Sequence, residues 1–143
     1  MQIGVESSRA VENKRVFVVD SDEITRAVLQ FMLHDENETH EIANVAAAYD
    51  KAASWKPDVI LLGMTIVQAQ GIGVVSEICE HIPGVKIALV ADSRADVTAQ
   101  SCLNQGAHSL LVKPFTIEAV RRKVDILLGR RTALSIPVRR ASI

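Results

Sequence analysis

The 143-residue chain is 48% hydrophobic with a formal net charge of −1, enough apolar content for one domain to bury a core without metal or disulfide staples. Aromatic residues make up only 3%, so Val, Ile, Leu and Ala carry the core, which favours parallel strands under helices over an aromatic-rich β-sandwich. No segment approaches the ~18 uninterrupted apolar residues of a membrane span, and the start, MQIGVESSRAVENKR, has no long apolar run behind its charges, so a cytoplasmic location is expected.

Along the chain, short apolar runs alternate with helical periodicity. RVFVV (15–19) is a β-branched and aromatic run ending at Asp20, and Ile24, Ala27, Val28, Phe31 and Met32 then recur at three- and four-residue spacing, which predicts a strand and then an amphipathic helix with these residues as its apolar stripe. THEIANV (39–45) is a weaker, more polar edge-strand candidate, followed by a helix over 46–55 and by Pro57, which is tolerated at a strand's first residue. DVILLGM (58–64) is the most hydrophobic run and predicts a central strand. A loop through Gln68 to Gly73 and a helix carrying Val74, Val75, Ile78 and Cys79 come next. KIALVA (86–91) repeats the pattern after the Pro83-Gly84 turn, with a helix over 93–105 stopped by Gly106. HSLLV (108–112) and a helix through Thr116, Ile117, Ala119, Val120, Val124, Leu127 and Leu128 close the series.

Five strands alternating with five helices predict right-handed βαβ crossovers and a doubly wound, flavodoxin-like parallel sheet of order 2-1-3-4-5. In such a sheet ligand chemistry gathers at the carboxyl ends of the strands, near the switch between strands 1 and 3. That places Asp20, Ser21, Asp22, Gly63, Ala91, Asp92 and Lys113 at the candidate site. Residues 1–12 and 130–143 lack periodicity and read as a leader and a tail, around a domain at 13–129. Residues 1–120 carry 9 Lys and Arg against 16 Asp and Glu, while residues 121–143 carry 7 against 1. Part of that asymmetry has a structural reading, because Arg121, Arg122 and Lys123 sit near a helix end where cations offset the helix dipole. Cys79 and Cys102 show no CxxC or Cys/His ligand spacing and are expected as reduced packing residues. The four histidines show no mutual spacing that suggests ligation.

At the strand ends, over about residues 14–129, the sequence resembles the receiver domain of bacterial response regulators in two-component signalling. VVDSDEITR is similar to the first strand with its acidic cluster and early helical Arg26. PDVILLGMTIVQAQG resembles the third strand and following loop, through Gly71. GAHSLLVKPF is the most specific match, with Lys113, Pro114 and Phe115 directly after the last strand.

The resemblance implies a set of groups acting together: two adjacent acids holding Mg²⁺, a strand-3 aspartate that accepts the phosphoryl group, a hydroxyl after strand 4 and a lysine that neutralises the phosphate. Matched residue by residue, the chain keeps Asp20 and Lys113. Ser21 stands in place of the second acid, Gly63 in place of the phosphoacceptor, Ala91 in place of the hydroxyl and Leu110 in place of the switching aromatic. No replacement nucleophile is evident: Asp58 lies five residues upstream at the opposite edge of the sheet, roughly 16 Å away. Thr65 lies in the expected loop over the site, but its phosphate ester would lack the lability that phosphorelay uses.

The expected function is therefore a degenerate, non-enzymatic receiver that acts by binding a protein such as a histidine kinase or another signalling protein, with a homodimer as a further option. Lys113 is expected either to contact Asp20, Asp22 or Asp92 and pre-organise the pocket, or to remain solvated. Magnesium is disfavoured as a cofactor, with Asp20 and Asp22 as a weak pair, and no small-molecule substrate is expected. Residues 130–143 are too few for an output domain. The alternatives are a phosphorylatable receiver and, more weakly, an anionic partner, nucleic acid or membrane, bound through the basic tail.

Overall fold

A computed structural model describes residues 14–130. The leader at 1–12 and the tail at 130–143, apart from Arg130, lie outside the described residues. The elements are β1 (Arg15–Val19), α1 (Glu23–Leu33), β2 (Glu38–Ile42), α2 (Val45–Ala52), β3 (Val59–Gly63), α3 (Met64–Gln70), α4 (Gly73–His81), β4 (Lys86–Ala91), α5 (Val97–Asn104), β5 (Ser109–Val112) and α6 (Ile117–Leu128). The five strands form one sheet in the order β2-β1-β3-β4-β5, with every pair parallel.

The central strands read as continuous apolar runs because both faces of the sheet are covered. Side chains alternate between faces at period two. Val16, Val18, Val59, Leu61, Ala88, Val90 and Leu111 point to one side, against Leu29 and Leu33 of α1 and Val120 and Val124 of α6. Phe17, Val19, Ile60, Leu62, Ile87, Leu89 and Leu110 point to the other, under α2 to α5. The more polar β2 is an edge strand, as its composition predicts.

Two expectations are corrected. The described residues form six helices, because Met64–Gln70 is a helix where a loop was expected: Met64, Ile66 and Val67 are buried, and Gly71 ends the segment with φ 93°. Thr65 therefore sits in a helix and not in a loop. The second correction concerns α1, whose buried residues are Thr25, Leu29 and Leu33. Ile24 is 73% exposed, Phe31 is 68% exposed, Ala27 is exposed too, and Val28 lies at the edge of exposure. Apolar residues lie on both sides of this helix, so spacing alone selected the wrong stripe. Met32 is half-buried against the core.

At the opposite edge of the sheet from the candidate site, Arg15 joins β1 to β2. Its Nε donates to Glu38 Oε2 at 2.7 Å, its guanidinium lies 5.3 Å from the Trp55 ring centroid, and its backbone N–H donates to Asp58. Asp58 thus caps the strand start far from Gly63. The Arg15 guanidinium and, after it, the His40 ring hold the Glu38 carboxyl down to about 2, against an ordinary 4.5. A depressed carboxyl favours the fold above its unfolded value and loses that contribution as pH falls from about 4.5 towards 2. Melting temperature should decline across that window, and Glu38→Gln should flatten the decline, as thermal scans between pH 6 and pH 3 can measure.

Candidate functional site

The site forms where β1, β3, β4 and β5 end. Asp20 follows β1, and its backbone N–H donates to Ile42 O at 3.1 Å, extending the β1–β2 ladder. Gly63 and Ala91 are the last residues of β3 and β4, and Lys113 follows β5 with its N–H donating to Ala91 O at 3.0 Å. The fold thus brings Asp20, Gly63, Ala91 and Lys113 to one end of the sheet.

The chain then turns into α1 through Asp22, whose carboxylate caps the helix. Asp22 Oδ1 accepts from Ile24 N at 3.3 Å and Oδ2 from the Thr25 hydroxyl at 2.6 Å. Such a cap satisfies helix N–H groups that have no partner within the helix. The Thr25 hydrogen bond is the main reason that the Asp22 carboxyl is held below its ordinary value, and the Lys113 charge acts in the same direction. Thr25 drew no attention in the sequence; its position three residues after Asp22 was the available signal. Arg26 braces the same turn by donating to Asp20 O at 2.9 Å and pairing with Glu41 at 3.6 Å.

Asp20 is 3% exposed, and its carboxylate is turned towards β3. Its Oδ1 accepts from the Asp22 N–H at 2.9 Å and from the Thr65 hydroxyl at 3.0 Å. A methyl group built on Gly63 would overlap this carboxylate: Oδ1 would lie 2.8 Å from the added carbon, with Cγ and Oδ2 nearer still. Gly63 has φ −69° and ψ 142°, a conformation open to any residue. Space and not backbone geometry makes glycine the residue that fits here.

Lys113 contacts Asp92, the third of its expected partners, at 3.4 Å. The two side chains are 37% and 87% exposed, so this is a solvated pair worth at most about 1 kcal/mol. Lys113 is followed by a cis peptide to Pro114. Leu110 is buried in the core, and Ala91 presents no hydroxyl.

The residues present do not fit the magnesium ion that the resemblance implies. Ser21 replaces one acid, both oxygens of Asp22 are engaged at the helix cap, Gly63 offers no carboxylate, and Asp20 is buried with Oδ1 already accepting two hydrogen bonds. Among the described residues, no group of three or more His, Cys, Asp or Glu lies together in a way that could hold a metal. Cys79 and Cys102 are free thiols, both pushed up by burial.

The profile of the response regulator receiver domain matches residues 16–125. The transcriptional regulatory protein SrrA of Staphylococcus aureus is 28% identical over 126 residues, 88% of this chain and 52% of SrrA. The transcriptional regulatory protein KdpE of the same organism is 25% identical over 117 residues, 82% of this chain and 50% of KdpE. The chain therefore spans about half the length of these relatives. The crystal structure of a two-component response regulator from Clostridium difficile superposes with a TM-score of 0.73 at 23% identity, covering 82% of this chain and 98% of that one. Among the described residues, no helix is long and apolar enough to cross a membrane.

Proposed function

Because the chain belongs to the response regulator receiver family of two-component signalling, we propose that it is a degenerate receiver that signals by binding a protein partner without aspartyl phosphorylation. The observation that carries this reading is the Asp20 carboxylate lying in the space where a side chain on residue 63 would begin. In a phosphorylatable receiver that space holds the nucleophile. Here it holds a buried carboxylate engaged by the Asp22 N–H and the Thr65 hydroxyl, so a phosphoryl donor meets neither an acceptor nor a pair of acids to hold a metal.

Removing the acceptor leaves the scaffold intact. The receiver fold, the Lys113-Pro114-Phe115 turn and the braced β1–α1 junction persist, and a binding surface requires only that these hold their positions. A histidine kinase or another signalling protein is the class of partner that the family membership supports.

Acetyl phosphate or beryllofluoride offered with magnesium should leave the mass and the backbone amide spectrum of the wild-type protein unchanged. A stable gain of one phosphoryl group, or amide shifts at the ends of β1, β3 and β5, would overturn the proposal in favour of a phosphorylatable receiver.

A further inference from the structure

The last turns of α2 and α4 meet where the Tyr49 ring stacks on the His81 ring, with centroids 4.0 Å apart and planes 10° from parallel. Beside this stack lies a cavity of about 260 Å³, lined by Tyr49 and Ala52 of α2, by Lys56, and by His81, Ile82 and Pro83. Crossover helices return the chain to the strand starts, so the cavity lies at the opposite end of the sheet from Asp20 and Gly63. The receiver chemistry makes no use of it.

Ala52, Ile82 and Pro83 make the wall largely apolar, and Tyr49 and His81 add aromatic surface. His81 Nδ1 lies 3.1 Å from Glu77 O; a carbonyl only accepts, so Nδ1 donates and the ring is held in place. Tyr49 Oη is buried without a hydrogen-bond partner among the described residues. Burial and, after it, the Glu77 charge push the phenol up to about 12, so it keeps its proton and is a donor without an acceptor.

Lys56 brings the one fixed positive charge among these side chains, and its ammonium makes no hydrogen bond or ion pair among the described residues. Its Nζ lies over the Pro83-Gly84 turn, 4.0 Å from the point where a Cβ on Gly84 would stand. Arg15 Nη1 donates to the Lys56 carbonyl at 2.9 Å and anchors the residue there. Carbonyls near both helix ends are already engaged: Tyr49 O accepts from Ala53 N–H at 3.2 Å, Lys51 O from Trp55 N–H at 2.8 Å and Ile78 O from Ile82 N–H at 2.9 Å. That engagement lessens the negative potential with which helix ends oppose an anion.

We infer that this cavity binds a small aromatic carboxylate, with its ring among the apolar and aromatic side chains of the wall and its charge at Lys56. A carboxylate is the acceptor that both the Lys56 ammonium and the Tyr49 phenol lack, and a charge-assisted bond to it is the stronger kind. Pockets for drug-sized ligands span about 300–1,000 Å³. At about 260 Å³ this one suits a single ring or two fused rings. The site stands independently of whether the receiver is phosphorylated.

The test is titration of the full, isotope-labelled chain with 2-naphthoate, followed by backbone amide shifts. Saturable shifts are expected at Ala52, Ile82 and Gly84, and none at Asp20 or Thr65. Lys56→Met, a change at an exposed side chain, should weaken binding at least about fivefold. The neutral isostere 2-naphthamide should bind the wild-type chain no better than 2-naphthoate binds Lys56→Met. Ala52→Leu keeps a good helix former at the end of α2 and fills the cavity, so it should abolish the shifts with both compounds. No saturable shift at Ala52, Ile82 and Gly84 by about 5 mM, weaker than nearly every specific complex, would overturn the inference. So would shifts confined to other parts of the surface. Equal affinity for the acid and the amide, or no loss in Lys56→Met, also rejects it, since recognition would then owe nothing to the charge.

Discussion

Gly63→Asp, the substitution that restores an aspartate at the end of β3, should melt on the order of 10 °C below the wild-type protein and still accept no phosphoryl group from acetyl phosphate. The new Cβ enters volume occupied by the Asp20 carboxylate, so either the sheet end or Asp20 must move. If Asp20 moves, Oδ1 gives up hydrogen bonds from the Asp22 N–H and the Thr65 hydroxyl. Bonds to a charged acceptor are worth about 1.5–3 kcal/mol each, and partial replacement by water returns some of that. Two carboxylates brought into contact also repel. A net loss of about 2–4 kcal/mol follows, at roughly 3–5 °C per kcal/mol for a domain of this size. Gly63→Ala isolates the steric part and should cost about 1–3 kcal/mol. Asp20→Ala in the Gly63→Asp background vacates the disputed volume, so the double variant should be more stable than the sum of the single losses by at least about 1 kcal/mol. Additive losses would show that the two positions do not share that space. A Gly63→Asp protein as stable as wild type and readily phosphorylated would refute the account of the pocket.

The fold was legible because strand burial and strand spelling coincide. Runs such as Val16 to Val19 and Ile87 to Ala91 are apolar at every position, buried on both faces, and the breaks between them carry Pro, Gly or capping residues. The short helix after β3 was not legible. Its seven residues contain two Gln and a Thr, its burial at Met64, Ile66 and Val67 has no full helical period, and its start is a glycine with no side-chain cap. The positions of the site residues followed from topology, since residues ending parallel strands must share one edge of the sheet. Their conformations did not follow. That Gly63 removes a side chain is plain from sequence, but that Asp20 turns into the resulting space depends on one rotamer and on the Thr65 hydroxyl. Thr65 reaches Asp20 only because the unanticipated helix places it there. Sequence likewise gave Lys113 three possible partners, and only the path of the chain after β4 selects Asp92.

The face of α1 is the point where spacing misled, and it carries the last large effect. Leu29→Ala should lower unfolding free energy by about 3 kcal/mol, whereas Phe31→Ala should lower it by less than about 1 kcal/mol. Leu29 is fully buried in the layer formed by Val16, Val18, Val120 and Val124, and truncating such a leucine removes transfer energy and leaves a cavity, at a cost of about 2–5 kcal/mol. Phe31 is the larger side chain, but 68% of it faces solvent, so little of its surface is desolvated by the described core. Urea denaturation followed by far-UV circular dichroism measures both losses, and an unchanged slope of stability with urea would show that the unfolded states remain comparable. A loss at Phe31 equal to that at Leu29 would mean that the helix is rotated by about half a turn from the arrangement described here.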